Sequence, residues 1–182
     1  MNAWDLPKSA VIGGTKYEIN TDFRDVLEII KYLNDPRKTI YSRWKIALSL
    51  FFEGDIPQEN EEEAAVYLSN FVSCGNQDER AGPKLIDWDQ DAHLIVADVN
   101  KVAGKEIRAE KYIHWWTFLA YFNGIGEGQL STVVGIRSKK AKGKKLEKWE
   151  QEYYREHKKE IDFQQPEDPE EAAIKENIKK WL

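Results

Sequence analysis

The chain has 182 residues, 41% of them hydrophobic, 12% aromatic and 32% charged, with a formal net charge of −5. A domain of ~150 residues buries roughly 70% of the surface its unfolded chain exposes, so this composition supports one core of ordinary size and excludes wholesale disorder. A single cysteine, Cys74, excludes an internal disulfide framework and a cysteine-based zinc site, fits a reducing compartment, and reads as a small buried hydrophobe.

At the N-terminus, Asn2, Trp4, Asp5, Lys8 and the Gly13-Gly14 pair interrupt any apolar stretch, so no secretory signal is expected. The longest aromatic and aliphatic run, 115–122, is far short of the ~20 residues a membrane span requires. Ser9 to Ile12 and Lys16 to Asn20 are β-prone runs flanking Gly13-Gly14-Thr15, which predicts a small β-hairpin. Thr21 or Asp22 then caps a helix carrying Phe23, Val26, Leu27, Ile30 and Leu33 at helical spacing, and Asn34-Asp35-Pro36 stops it. A second helix is predicted over about 39–53, with Ile40, Trp44, Ala47, Leu48, Phe51 and Phe52 as one broad apolar stripe. A third opens on Glu59, Glu61, Glu62 and Glu63, whose charge complements a helix N-terminus, and buries Ala65, Leu68, Phe71 and Val72.

Residues 74–84 read as a loop between two helical halves of one domain. Asp87 to Asp91 then starts a helix with Trp88, Ala92, Ile95, Val96, Val99 and Val102. The next, over about 109–123, is apolar nearly all round, which makes it either central to the core or partly a docking surface. After Gly124, Gly126 and Gly128 comes a short apolar segment, 130–136, and then a basic run. Arg137, Lys139, Lys140, Lys142, Lys144, Lys145 and Lys148 are seven positive charges against Glu147 alone. From Glu150 to Glu171 the balance reverses, with nine acidic side chains against Arg155, Lys158 and Lys159. The fold class expected is mainly α, a multi-helix bundle-like domain over 1–163 with an N-terminal hairpin. Residues 164–182 are expected to form a linker and an amphipathic C-terminal helix bearing Ala173, Ile174, Ile178, Trp181 and Leu182.

Each motif has a plainer reading that outweighs the chemical one. Asp87, Asp89 and Asp91 alternate like calcium ligands, but the glycine and closing glutamate of such a loop are missing, so they read as helix capping. His93, His114 and His157 lack ligand-type neighbours. The Gly124 to Gly128 segment leaves an aromatic helix rather than a strand, which suits a turn better than a phosphate loop. No nucleophile elbow or Cys/His pairing occurs, so neither an enzyme nor a cofactor is expected, and binding another protein is. The basic run has no interleaved aromatics and sits beside an acidic segment, which ranks a protein-facing patch above a nucleic-acid site. The candidate protein-binding residues are Trp115, Trp116 and Phe118, for which core packing is the favoured alternative, together with Arg137, Lys139, Lys140, Lys142, Lys144 and Lys145.

The segments from Tyr17 to Arg24, Asp89 to Ala92, His114-Trp115-Trp116-Thr117-Phe118, Ile136 to Lys140, and Gly143 to Leu146 occur in an order that resembles one phage family. This is the bacteriophage "gene product fifteen" family of phages and prophages of Gram-positive bacteria, and the resemblance covers about residues 7–163. It implies a protein of the host cytoplasm, encoded in the tail-morphogenesis region close before the tape-measure gene, in the place of a tail assembly chaperone. The implied partners are the tape-measure protein and the tail-tube protein, with self-association also open. A structural tail component and a nucleic-acid-binding protein are the alternatives.

Overall fold

In the computed structural model, β1 (Ser9–Ile12) and β2 (Thr15–Glu18) pair antiparallel, Ile12 opposite Thr15, through a two-residue turn. Gly13 and Gly14 have φ of 55° and 78°, the doubly left-handed conformation of the turn that matches strand twist and that glycine adopts without penalty. The structure describes residues 4–75 and 82–164. Ala10 and Ile12 face inward and Val11 outward, as the two-residue period of a strand requires.

Helix α1 (Phe23–Leu33) is capped by Asp22, whose carboxylate accepts the Arg24 amide at 3.0 Å. Helix α2 (Ile40–Phe51) is capped by Thr39, whose hydroxyl accepts the Ser42 amide. Helix α3 (Glu61–Val72) begins with the three expected glutamates and buries Ala64, Leu68 and Phe71. Ile40, assigned to the apolar stripe of α2, is instead exposed in the first turn of that helix. Cys74 is likewise exposed: it follows the last turn of α3 in the left-handed region, at φ 54°.

Two helices start later than their apolar spacing predicts. Residues 87–91 form a turn and α4 covers Ala92–Ala103, while α5 covers only Trp115–Asn123. The stretch before α5 is drawn out to pair with the start of α1. The Phe23 amide donates to the Ile113 carbonyl at 2.9 Å and the Trp115 amide to the Thr21 carbonyl at 2.7 Å. These bonds link residues about ninety positions apart, so local periodicity carries no trace of them. Helices α6 (Gln129–Ala141), α7 (Lys148–Glu156) and the single turn α8 (Lys158–Ile161) complete the described chain. Eight helices and one small hairpin among the described residues make a mainly α fold.

The buried side chains form one continuous cluster from Ala10 to Ile161, so both halves of the chain share a core. Trp88 sits at the junction, its ring 6.0 Å from Trp115 and 5.0 Å from Phe122. The expected linker and C-terminal helix fall, from residue 165 onward, outside the described residues.

Candidate functional site

The aromatic block lies inside the molecule. Trp115, Trp116 and Phe118 are 1%, 7% and 2% exposed, which removes all three as surface anchors in this conformation. Their polar edges have structural partners. The last carbonyls of a helix lack intrahelical donors, and the two indole N–H groups supply them at the end of α3: Trp115 donates to the Val72 carbonyl and Trp116 to the Phe71 carbonyl, each at 2.9 Å. Trp116 also stacks on Phe71, and Phe118 on Phe23, at ring separations of 5.6 and 4.8 Å. His114 begins α5 by accepting the Trp116 amide at Nδ1, while Nε2 lies 3.1 Å from the Pro7 carbonyl. An amide can only donate and a carbonyl only accept, so the ring is neutral with its proton on Nε2. Burial, aided by the Lys8 charge, holds its pKa below the ordinary 6.5 despite the bond to Pro7.

Arg137 leaves the basic surface as well. It is 5% exposed, and every guanidinium N–H has an acceptor. Nε donates to the Ile161 carbonyl, Nη1 to Asp91 and the Leu85 carbonyl, and Nη2 to Asp91 and the Glu160 carbonyl, at 2.6–3.0 Å. The spacing held a clue, because Arg137 stands on the same helical face as the buried Leu130, Val133 and Ile136.

The remaining lysines divide into two groups. Lys139 pairs with the buried Glu150 at 2.7 Å, and Lys140 with Asp162 at 2.5 Å while lying over the Tyr154 ring. The Glu150 carboxyl is held below its ordinary pKa by that lysine and by the Glu147 amide. Lys142, Lys144 and Lys145, in the turn after α6, and Lys148, the first residue of α7, are exposed and have no ion pair among the described residues. Trp149 follows directly and is 54% exposed. Lys148 and Trp149 complete this surface and were not among the candidate residues; an indole left in water beside an unpaired ammonium cluster is the signal that marks them.

Features that resemble ligand sites are occupied by the protein itself. The N-terminus of α6, next to the glycine segment, receives the Asp98 carboxylate, which accepts the Leu130 amide at 3.2 Å and meets Lys101 at 2.7 Å. The Asp87 carboxylate accepts the amides of Asp89 and Gln90, closing the turn before α4, and Asp91 is committed to Arg137. In the recess lined by Lys8, Glu18, Ile19, Thr21, Glu53 and Tyr112, the Thr21 hydroxyl is bonded to Tyr112 at 2.7 Å. Among the described residues no group of three His, Cys, Asp or Glu side chains is placed to hold a metal ion, and no helix is long and apolar enough to cross a membrane.

A family model described as bacteriophage Gp15 protein matches residues 4–163. The chain belongs to that family. The match takes in the hairpin, all eight helices, the buried aromatic block and the lysine surface, and it leaves out the C-terminal residues 164–182. It agrees with the resemblance read over residues 7–163, and it makes this a phage protein. No match was found among curated proteins or among solved structures.

Proposed function

We propose that this Gp15-family protein is a tail assembly chaperone that acts in the host cytoplasm by binding the tape-measure protein through the Lys142 to Trp149 surface. It works by binding rather than by catalysis and needs no cofactor. The observation that carries the reading is the contrast within the basic run. Three of its charges are paired with acids of the fold, while Lys142, Lys144, Lys145 and Lys148 have no ion pair among the described residues and stand beside an exposed indole. The choice of partner is supported by the place next to the tape-measure gene that the family resemblance implies.

The chemistry suits such a partner. A tape-measure protein is a very long helical chain whose apolar stripes have to be shielded until tube subunits assemble around it. Trp149 provides the apolar contact, and the ammonium groups steer an acidic helix face, with an attraction that fades once added salt brings the Debye length down to ~3 Å near 1 M. Trp149 thus replaces Trp115 and Trp116 as the anchor.

The test is co-expression with fragments of the tape-measure protein of the same phage, followed by capture at low and high salt. A soluble, salt-sensitive complex supports the reading. Failure with every fragment, while the protein is folded, transfers the assignment to a structural tail component, which purified particles would contain and a chaperone would not.

A further inference from the structure

Helix α3 turns a face to solvent that the fold does not cover. Between Lys45 and Arg80 the sequence has no basic residue, while Glu53, Asp55, Glu59, Glu61, Glu62 and Glu63 place six carboxylates within eleven positions. Two of them are used inside the molecule: Glu61 pairs with Lys45, and Glu63 accepts the Gly13 amide at 2.9 Å. Glu53, Asp55, Glu59 and Glu62 are exposed and have no ion pair among the described residues. Glu62 and Val66 stand one turn apart on the outer side of α3, away from the buried Ala64, Leu68 and Phe71, and Val66 is 56% exposed. Strand β1 lies alongside, fixed by the Gly13 bond and by the Tyr67 hydroxyl donating to the Ser9 carbonyl at 3.2 Å, and it turns the exposed Val11 outward.

The lysine surface has the opposite charge. Its own carboxylate, Glu147, is engaged locally, 3.8 Å from the Lys139 ammonium and accepting the Trp149 indole N–H at 3.3 Å, which leaves Lys142, Lys144, Lys145 and Lys148 in excess. Among the described residues no ion pair joins the two surfaces within one chain. We infer that the outer face of α3 docks on the Lys142 to Trp149 surface of a second copy of this chain. Four unpaired carboxylates then meet four unpaired ammonium groups, and both sides bring exposed apolar side chains, Val11 and Val66 on one and Trp149 on the other, to exclude water between them. The two patches differ, so the contact is head-to-tail: a pair of copies keeps one free patch of each kind, and further copies can add. Surface ion pairs are individually weak, which puts association at protein concentrations on the order of 100 µM and makes it salt-sensitive. As a consequence that rests on the function proposed above, a tape-measure segment competes with the α3 face of a neighbouring copy for the same lysines.

Sedimentation velocity of the full-length protein, with no tape-measure fragment present, tests the contact. At ~0.05 M salt the mean mass should rise with protein concentration, and at ~0.5 M salt the apparent Kd should be about tenfold higher or more. Glu59→Gln combined with Glu62→Gln should leave a monomer, and so should Lys144→Gln combined with Lys145→Gln. All four positions are exposed, so circular dichroism should show the parent fold in both variants. Each variant keeps one intact patch, and mixing the two should restore a 1:1 complex that grows no further. A protein monomeric at every concentration, association that ignores salt or survives either double substitution, or variants that stay monomeric when mixed would each overturn the proposal. Since no partner is present, failure here leaves the tape-measure reading intact, and failed capture of tape-measure fragments leaves this contact intact.

Discussion

Arg137 and Asp91 meet through two parallel bonds, Nη1 to Oδ2 at 2.6 Å and Nη2 to Oδ1 at 2.9 Å, with side-chain exposures of 4% and 1%. The pair joins α6 to the start of α4, and the guanidinium also gathers three carbonyls from the segments before α4 and around α8. A buried ion pair is weak evidence for stability as a pair, but removing one partner leaves an uncompensated charge in the interior. Arg137→Met should therefore destabilise the protein by ~3–5 kcal/mol in urea unfolding. Combining it with Asp91→Leu should recover part of that loss. A double variant no more stable than Arg137→Met would show that the three carbonyl bonds, rather than the stranded carboxylate, set the cost.

The buried indoles give a separate prediction. Trp115→Ala should cost ~3–5 kcal/mol from the cavity it opens, visible as loss of near-ultraviolet circular dichroism or of the cooperative transition. Trp116→Phe keeps most of the packing but removes the indole bond to the Phe71 carbonyl, which retains the Cys74 amide, at a cost of about 0.5–1.5 kcal/mol. A Trp115→Ala protein with wild-type stability would place the block on the surface after all.

His114 makes stability fall on mild acidification. Its folded-state pKa lies below the ordinary 6.5, so the contribution is complete above about pH 6.5 and is lost as pH drops from there through the folded value, where the proton enters. That second proton would put an N–H on Nδ1 facing the Trp116 amide, donor against donor. Chemical unfolding between pH 7.5 and 5.5 should show the decline, and His114→Asn, which retains a capping oxygen, should flatten it. Equal slopes in the two proteins would assign the decline to other groups.

Charge removal on the lysine surface should separate binding from folding. Replacing Lys142, Lys144, Lys145 and Lys148 with Gln should leave the fold intact, each change being worth within about ±0.5 kcal/mol, because none has an ion pair among the described residues. Capture of tape-measure fragments should weaken about tenfold or more at low salt and lose its salt dependence. The same substitution at Lys139, bonded to the buried Glu150, should instead lower the melting temperature.

The hairpin, a cap at Thr21 or Asp22 and the first three helices were legible because local chemistry decides them: a Gly-Gly turn, a short oxygen-bearing side chain, an apolar residue every three or four positions. The start of α5 was not, because the bonds from Thr21 and Phe23 that straighten residues 110–114 come from ninety positions away. The basic run showed the same division. Arg137 shares a helical face with Leu130 and Val133, a spacing that the reading of it as part of a basic surface passed over, and nothing in the order of residues said that Glu150 and Asp162 would fold back onto Lys139 and Lys140.

Composition and pattern along the chain were sufficient for a mainly helical protein with a β-hairpin, an aromatic block and a charge-polarised end, since each rests on residue type and short-range periodicity; the phage context came from the resemblance of its motifs to one family. Which aromatics meet water and which cations stay unpaired depended on how distant segments pack. Burial and ion pairing are properties of three-dimensional neighbours, and folding brought Val72 to Trp115 and Asp91 to Arg137 while leaving Lys142 to Trp149 facing outward.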